Sequence, residues 1–92
     1  MARTVHVIVF GKVQGVGYRA WTEYKARMAG LSGWVRNRRD GTVEALFYGE
    51  PEAVDAMAQA CNRGPRLSAV EKIVVTERTD EPAPGFHVLP TA

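Results

Sequence analysis

Early in the chain a two-residue alternation gives way to a helical period, and a glycine-rich stretch makes the switch. Val5, Val7, Val9, Gly11 and Val13 fall on one face of a strand, with His6, Ile8, Phe10 and Lys12 on the other. From Tyr18 to Ala29 the spacing is helical, with Trp21, Tyr24 and Met28 predicted on the buried face and Thr22, Glu23 and Arg27 leaning outward. Between them lies Gly11-Lys12-Val13-Gln14-Gly15-Val16-Gly17-Tyr18-Arg19. A glycine turn from strand to helix gathers several backbone N–H groups at one spot. The unpaired amides and the positive dipole end of the helix then favour an anion there. The spacing G-x-x-x-G-x-G matches neither the Walker A loop nor the dinucleotide-binding G-x-G-x-x-G, so this is not the phosphate loop of a nucleotide-binding fold.

Arg19 sharpens that reading. A cation in the first helical turn meets the positive end of the dipole, at a cost of up to about 1 kcal/mol. A bound anion reverses the sign of that cost, and a guanidinium offers a planar fork to two oxygens where lysine offers a point charge. The bland alternative is a plain strand–helix turn with a solvated arginine.

The rest of the chain supplies the architecture. Ser32 to Asn37 and Thr42 to Tyr48 read as strands, with Asp40-Gly41 as the turn signal between them. Pro51, flanked by Glu50 and Glu52, suits the start of a second helix, whose apolar stripe is Val54, Met57, Ala58 and Cys61 and whose end is Gly64-Pro65. Val70 to Glu77 is a fourth strand, and Phe86 to Leu89 a short edge strand. Val70 falls out of phase with Ile73 and Val75, as a bulge or a later start would produce. The order β-α-β-β-α-β predicts an α+β, ferredoxin-like split βαβ sandwich, an antiparallel sheet with two helices on one face. The other face is expected to be open, carrying Ile8, Phe10, Leu46 and Tyr48, with His6 as an exposed strand residue and His87 at the surface.

Ninety-two residues allow one domain, spanning 1–92, with a modest core. There is no apolar run of membrane-spanning length and no basic-plus-apolar leader, so a cytoplasmic protein away from membranes is expected. Cys61, the single cysteine, agrees with a reducing compartment and reads as a small core residue. A net charge of +2 is too small to argue for nucleic acid. The local group Lys12, Arg19, Arg36, Arg38 and Arg39 could serve RNA, or could steer a small phosphorylated substrate into a site.

In a split βαβ unit the first two strands run parallel with the third between them, so their C-terminal ends share one edge. The glycine loop with Arg19 and the strand end at Asn37 therefore meet. Such a site holds an anion cradle, one cation and one neutral amide. It shows no evident nucleophile and no metal-ligand spacing, and neither metal nor cofactor is expected. It suits phosphoryl transfer to water from a substrate reactive enough to need only positioning and charge neutralisation. A carboxyl phosphate fits that description better than a phosphate monoester. Taken alone, Asn37 reads as an ordinary turn residue, since Asn is favoured at strand ends and tight turns.

Val13-Gln14-Gly15-Val16-Gly17-Tyr18-Arg19 and Gly33-Trp34-Val35-Arg36-Asn37 with Asp40-Gly41 closely resemble the signatures of the acylphosphatases. The resemblance continues through Gly64-Pro65 and Ala69-Val70 to Gly85-Phe86, nearly the whole chain. Tyr18 stands where Phe is common and Ala29 where a larger aliphatic is common; neither change touches the chemistry. The resemblance implies hydrolysis of small-molecule acyl phosphates without metal. It places the phosphoryl group on the amides of Gln14, Gly15, Val16, Gly17, Tyr18 and Arg19 and on the Arg19 side chain, with Asn37 orienting the attacking water. Trp34 reads as a packing residue, and a monomer without a nucleic-acid partner is expected. Two other functions compete. Similar domains begin the large hydrogenase-maturation carbamoyltransferases, although a chain ending at Ala92 without a linker favours a free-standing enzyme. Ferredoxin-like sheets also bind single-stranded RNA, but the aromatic and glycine pattern of such modules is missing here.

Overall fold

The computed structural model describes residues Met1–Ala92. The elements come in the expected order: β1 (Arg3–Lys12), α1 (Tyr18–Met28), β2 (Ser32–Asn37), β3 (Val43–Gly49), α2 (Pro51–Arg63), β4 (Ala69–Arg78) and β5 (Phe86–Val88). One sheet contains all five strands in the order β4-β1-β3-β2-β5. β3 pairs antiparallel with β1 and with β2, which therefore run parallel to each other, and β4 pairs antiparallel with β1. This is the ferredoxin-like α+β arrangement. At one edge the expected antiparallel pattern gives way, because β5 lies parallel to β2. The cause is topological. β4 runs opposite to β2, and the segment after it reverses the chain and carries it to the far edge, so β5 must run with β2. No helix is long and apolar enough to cross a membrane.

The core lies between one sheet face and the two helices. Val5, Val7 and Val9 of β1, Val43, Ala45 and Phe47 of β3, Val35 of β2 and Phe86 of β5 are buried with Tyr18, Ala26, Val54, Met57 and Cys61. Each buried valine or larger side chain contributes about 1.5–3 kcal/mol by leaving water. Phe47 and Phe86 stack with ring centroids 5.6 Å apart, which anchors the short β5. The stripe of α2 is Val54, Met57, Ala60 and Cys61, with Ala60 taking the buried place expected for Ala58.

The buried face of α1 differs from the expected one. Tyr18, Thr22 and Ala26 are buried, Trp21 packs only partly against the core, and Tyr24 and Met28 are 64% and 72% exposed. Thr22 can enter the core because its Oγ1 donates to the Tyr18 carbonyl at 2.8 Å, one turn back. Tyr18 sets the face: its hydroxyl donates to the Cys61 carbonyl at 2.6 Å, which ties α1 to the last turns of α2. Burial raises the Tyr18 phenol well above its ordinary value and pushes the Cys61 thiol up to about 12. Cys61 is accordingly a packed thiol, not a thiolate. Gly30, with φ of 71°, turns the chain out of the helix as the sequence suggests.

The phase slip in β4 is a bulge. Phe10 pairs with Lys72 and Gly11 with Val70, leaving Glu71 as the extra residue. Val70 and Ile73 consequently both pack against the core. A Cβ on Gly11 would lie 2.2 Å from the Ala69 carbonyl oxygen, so only glycine lets β4 approach β1 this closely just before the loop.

The helix-free face is less open than expected. Leu46 is 2% exposed, flanked across the strands by His6 and Trp34. His6 bonds to Glu44 at 2.6 Å and meets the Trp34 ring edge-on, so it is a covered residue and not an exposed one. Trp34 packs here, beneath the Arg36 guanidinium. His87 is exposed, as expected.

Candidate active site

The loop between β1 and α1 is built from positions that keep their amides free. Gly15 and Gly17 have φ of 74° and 79°, in the left-handed region that side chains with a Cβ avoid. Gly17 caps α1 without any side-chain hydrogen bond, and the first turn holds no acidic residue. The first bond of the helix runs from the Trp21 N–H to the Gly17 carbonyl. None of the loop and turn hydrogen bonds starts from an amide of residues 14–20. Unpaired N–H groups at a helix N-terminus are donors suited to an anion.

A cleft of about 330 Å³ opens over these amides, lined by Val13, Gly15, Gly17, Tyr18, Arg19, Ala20, Glu23, Asn37 and Val88. It brings together Arg19, from the first turn of α1, and Asn37, the last residue of β2. The parallel course of β1 and β2 does this, as expected from topology. The side chains of Gln14 and Val16, whose amides are expected in the phosphate cradle, lie outside the cleft lining. Val16 packs partly against the core, while the Gln14 side chain turns to the β2–β3 hairpin.

The basic group expected around the loop is dispersed. Arg36 points to the other sheet face and bonds to Glu44 at 2.7 Å. Burial alone would raise the Glu44 carboxyl, but its hydrogen bonds with His6 and Arg36 outweigh burial and hold it below its usual value. Only Arg19 of the group lines the cleft. It takes no part in the ion pairs, which join Arg3, His6, Arg27, Arg36 and Arg78 to carboxylates. Its charge is left to be neutralised from the cleft.

Asn37 shows the complementary deficit. Its Oδ1 is buried and has no hydrogen-bond partner. A buried acceptor left unpaired costs about 1–3 kcal/mol, which a donor supplied from the cleft would recover. The Asn37 backbone is fixed: its carbonyl accepts from the Ala92 N–H at 3.0 Å, and the Arg39 N–H donates to the Ala92 oxygen at 2.8 Å. The side chain is thus held on a rigid strand end with its own polar atoms unspent.

Two lining residues carried no signal in the sequence. Val88 reaches the cleft because β5 runs with β2 and ends at the same sheet edge. Glu23, expected to lean outward, sits one turn beyond Arg19 and pairs with Arg27 at 3.0 Å. Arg27 in turn donates to the Phe86 carbonyl, joining α1 to β5.

The acylphosphatase family profile matches residues 5–88. An acylphosphatase of Azorhizobium caulinodans is 51% identical over 92 residues, covering 99% of each chain. Among solved structures, an acylphosphatase from Bacillus subtilis superposes with a TM-score of 0.90 at 39% identity, over 97% of this chain and 99% of its own. One from Coxiella burnetii gives a TM-score of 0.92 at 34% identity, over 96% of this chain and 93% of its own. With the family profile spanning most of the chain, a relative half identical over its whole length and two solved structures of the same fold, the chain belongs to the acylphosphatase family.

Proposed function

We propose that residues 1–92 form one acylphosphatase domain that hydrolyses the carboxyl–phosphate bond of small acyl phosphates. The observation that carries the proposal is the pairing of deficits in one cleft: donors without an acceptor at the loop, and Asn37 Oδ1 without a donor. A phosphoryl group supplies the acceptors. Its oxygens take the amides of the 14–19 loop and the Arg19 fork, which also offsets the misplaced cation at the helix N-terminus. A water supplies the donor. The Asn37 amide turns about χ2, a soft torsion, to hold that water.

The reaction then needs positioning more than activation. The water oxygen bonds to phosphorus while the bond from phosphorus to the acyl oxygen breaks, and the carboxylate leaves with the electron pair. The water's proton goes to a phosphoryl oxygen, giving a carboxylate and inorganic phosphate. Negative charge spread over the phosphoryl oxygens is met by preorganised donors that need no rearrangement. The carboxylate is a good leaving group, so the chemistry asks for no metal, cofactor or covalent intermediate. The same reading makes the protein a cytoplasmic monomer with no nucleic-acid partner.

The direct test is hydrolysis of benzoyl phosphate by purified protein in excess chelator. Activity should persist, and inorganic phosphate or sulfate should inhibit competitively by occupying the same cradle. Dependence on an added metal, or noncompetitive inhibition by phosphate, would contradict the proposal.

The loop glycines make a second test. Gly15 and Gly17 line the cleft, and a Cβ on either would meet no protein atom within 4 Å, so the protein leaves room for a substituent at the cleft wall. The left-handed backbone costs an ordinary residue about 1–2 kcal/mol. Gly15→Val and Gly17→Val should therefore lose that much stability, yet lose turnover on the order of a hundredfold, the scale of one preorganised oxyanion donor. Thermal melts beside kcat/KM on benzoyl phosphate make the comparison. Losses of equal size in free energy would mark both glycines as structural.

A further inference from the structure

The two halves of the cleft are joined by one side chain. Gln14 lies in the phosphate loop, and its Nε2 donates to the Arg38 carbonyl and to the Thr42 carbonyl, each at 2.8 Å. Both acceptors belong to the turn that follows Asn37. That turn is already closed by its own bonds, from the Arg38 N–H to the Thr42 carbonyl at 2.9 Å and from the Gly41 N–H to the Arg38 carbonyl at 3.1 Å. Asp40 reinforces it by accepting from the Thr42 N–H and hydroxyl at 3.0 and 2.6 Å. Gln14 thus spends both amide protons on a hairpin that does not need them to form. What the two bonds add is a fixed distance between the loop and the residue next to Asn37.

We propose that Gln14 is a positioning residue, whose side-chain amide sets the Asn37 amide and its water in line with the phosphorus held by the loop. The proposal rests on the acylphosphatase reading given above. Phosphoryl transfer is sensitive to such placement: a misplacement of roughly 1 Å can cost about a hundredfold in rate. Gln14→Ala removes the tether but no backbone donor, and it leaves Arg19 in place, so phosphate affinity should change far less than kcat. Each released carbonyl keeps its hairpin N–H, so Gln14→Ala leaves no orphaned acceptor and should fold.

The test compares wild type, Gln14→Ala, Asn37→Ala and the double variant, measuring kcat on benzoyl phosphate and phosphate affinity by calorimetry. Gln14→Ala should lower kcat by about ten- to a hundredfold, with phosphate affinity within twofold of wild type. In the Asn37→Ala background the same substitution should change kcat by less than twofold, because the group it positions is gone. A general weakening of the fold would lower both backgrounds alike. Gln14→Glu gives an independent readout. At neutral pH its carboxylate faces two carbonyl oxygens and should be worse than alanine. At acidic pH the protonated acid can again donate to one carbonyl, so its activity relative to wild type should rise as pH falls. Wild-type kcat in Gln14→Ala, full additivity with Asn37→Ala, or a parallel loss of phosphate affinity would each overturn the positioning role. Inactivity of wild-type protein would remove the acylphosphatase reading and this proposal with it.

Discussion

Asn37→Ala should bind inorganic phosphate about as tightly as wild type while turning over benzoyl phosphate on the order of a hundredfold more slowly or worse. A hundredfold corresponds to about 2.7 kcal/mol of transition-state stabilisation. The separation follows from what each group touches. In the proposed site phosphate would occupy the loop amides and Arg19, and Asn37 would contribute only when a water must be held for attack. Stability should not fall with activity, because Oδ1 has no partner to lose. The substitution breaks no hydrogen bond within the protein, so the melting temperature should stay near that of wild type. Calorimetry with phosphate, kcat on benzoyl phosphate and circular dichroism together decide the matter. Wild-type turnover in a folded Asn37→Ala protein would eliminate the water-holding role.

Arg19→Ala should behave differently, losing phosphate affinity and turnover together. In the proposed site its guanidinium would meet the phosphoryl group before and during transfer, so ground state and transition state would both lose the contact. Arg19→Lys should remain badly impaired, because an ammonium cannot reproduce two parallel N–H···O bonds. It would also keep a positive charge against the helix dipole without the fork that redeems it. The arginine makes no ion pair, so neither substitution should cost much stability. Phosphate titration of each variant, with kcat/KM alongside, measures the effect. Undiminished phosphate affinity in folded Arg19→Ala would place the cradle elsewhere.

Much of this was legible in the sequence because it depends on local pattern. The alternation of Val5, Val7 and Val9 and the glycines of the loop mark a strand feeding a helix. Element order alone brings Asn37 to the loop. Features set by tertiary partners were not legible. The face of α1 is chosen by Tyr18, whose hydroxyl finds a carbonyl on α2, and Thr22 follows it inward by bonding to its own helix. Apolar periodicity favours Tyr24 and Met28 instead, since it cannot see those bonds. Gln14 looks like one more loop residue until the hairpin stands opposite it. Val88 enters the cleft only because β5 runs with β2, a direction fixed by the path of the segment before it.

The interior position of β1, between β3 and β4, has a consequence for how the molecule is made. Its two neighbours are β3 and β4, and β4 is the sixth element to be synthesised. The valines of β1 therefore emerge first and wait longest for a complete sheet. Long-range pairing of this kind must meet the entropy of closing most of the chain into a loop before its contacts reward it, so folding should be slow for a domain of this size. During that interval β1 presents an unpaired, apolar strand edge, the type of surface by which partly folded chains associate. The cleft also gains its Val88 wall only when β5 docks, last in chain order. A chain arrested before β5 would hold the glycine loop without the Val88 wall of the cleft.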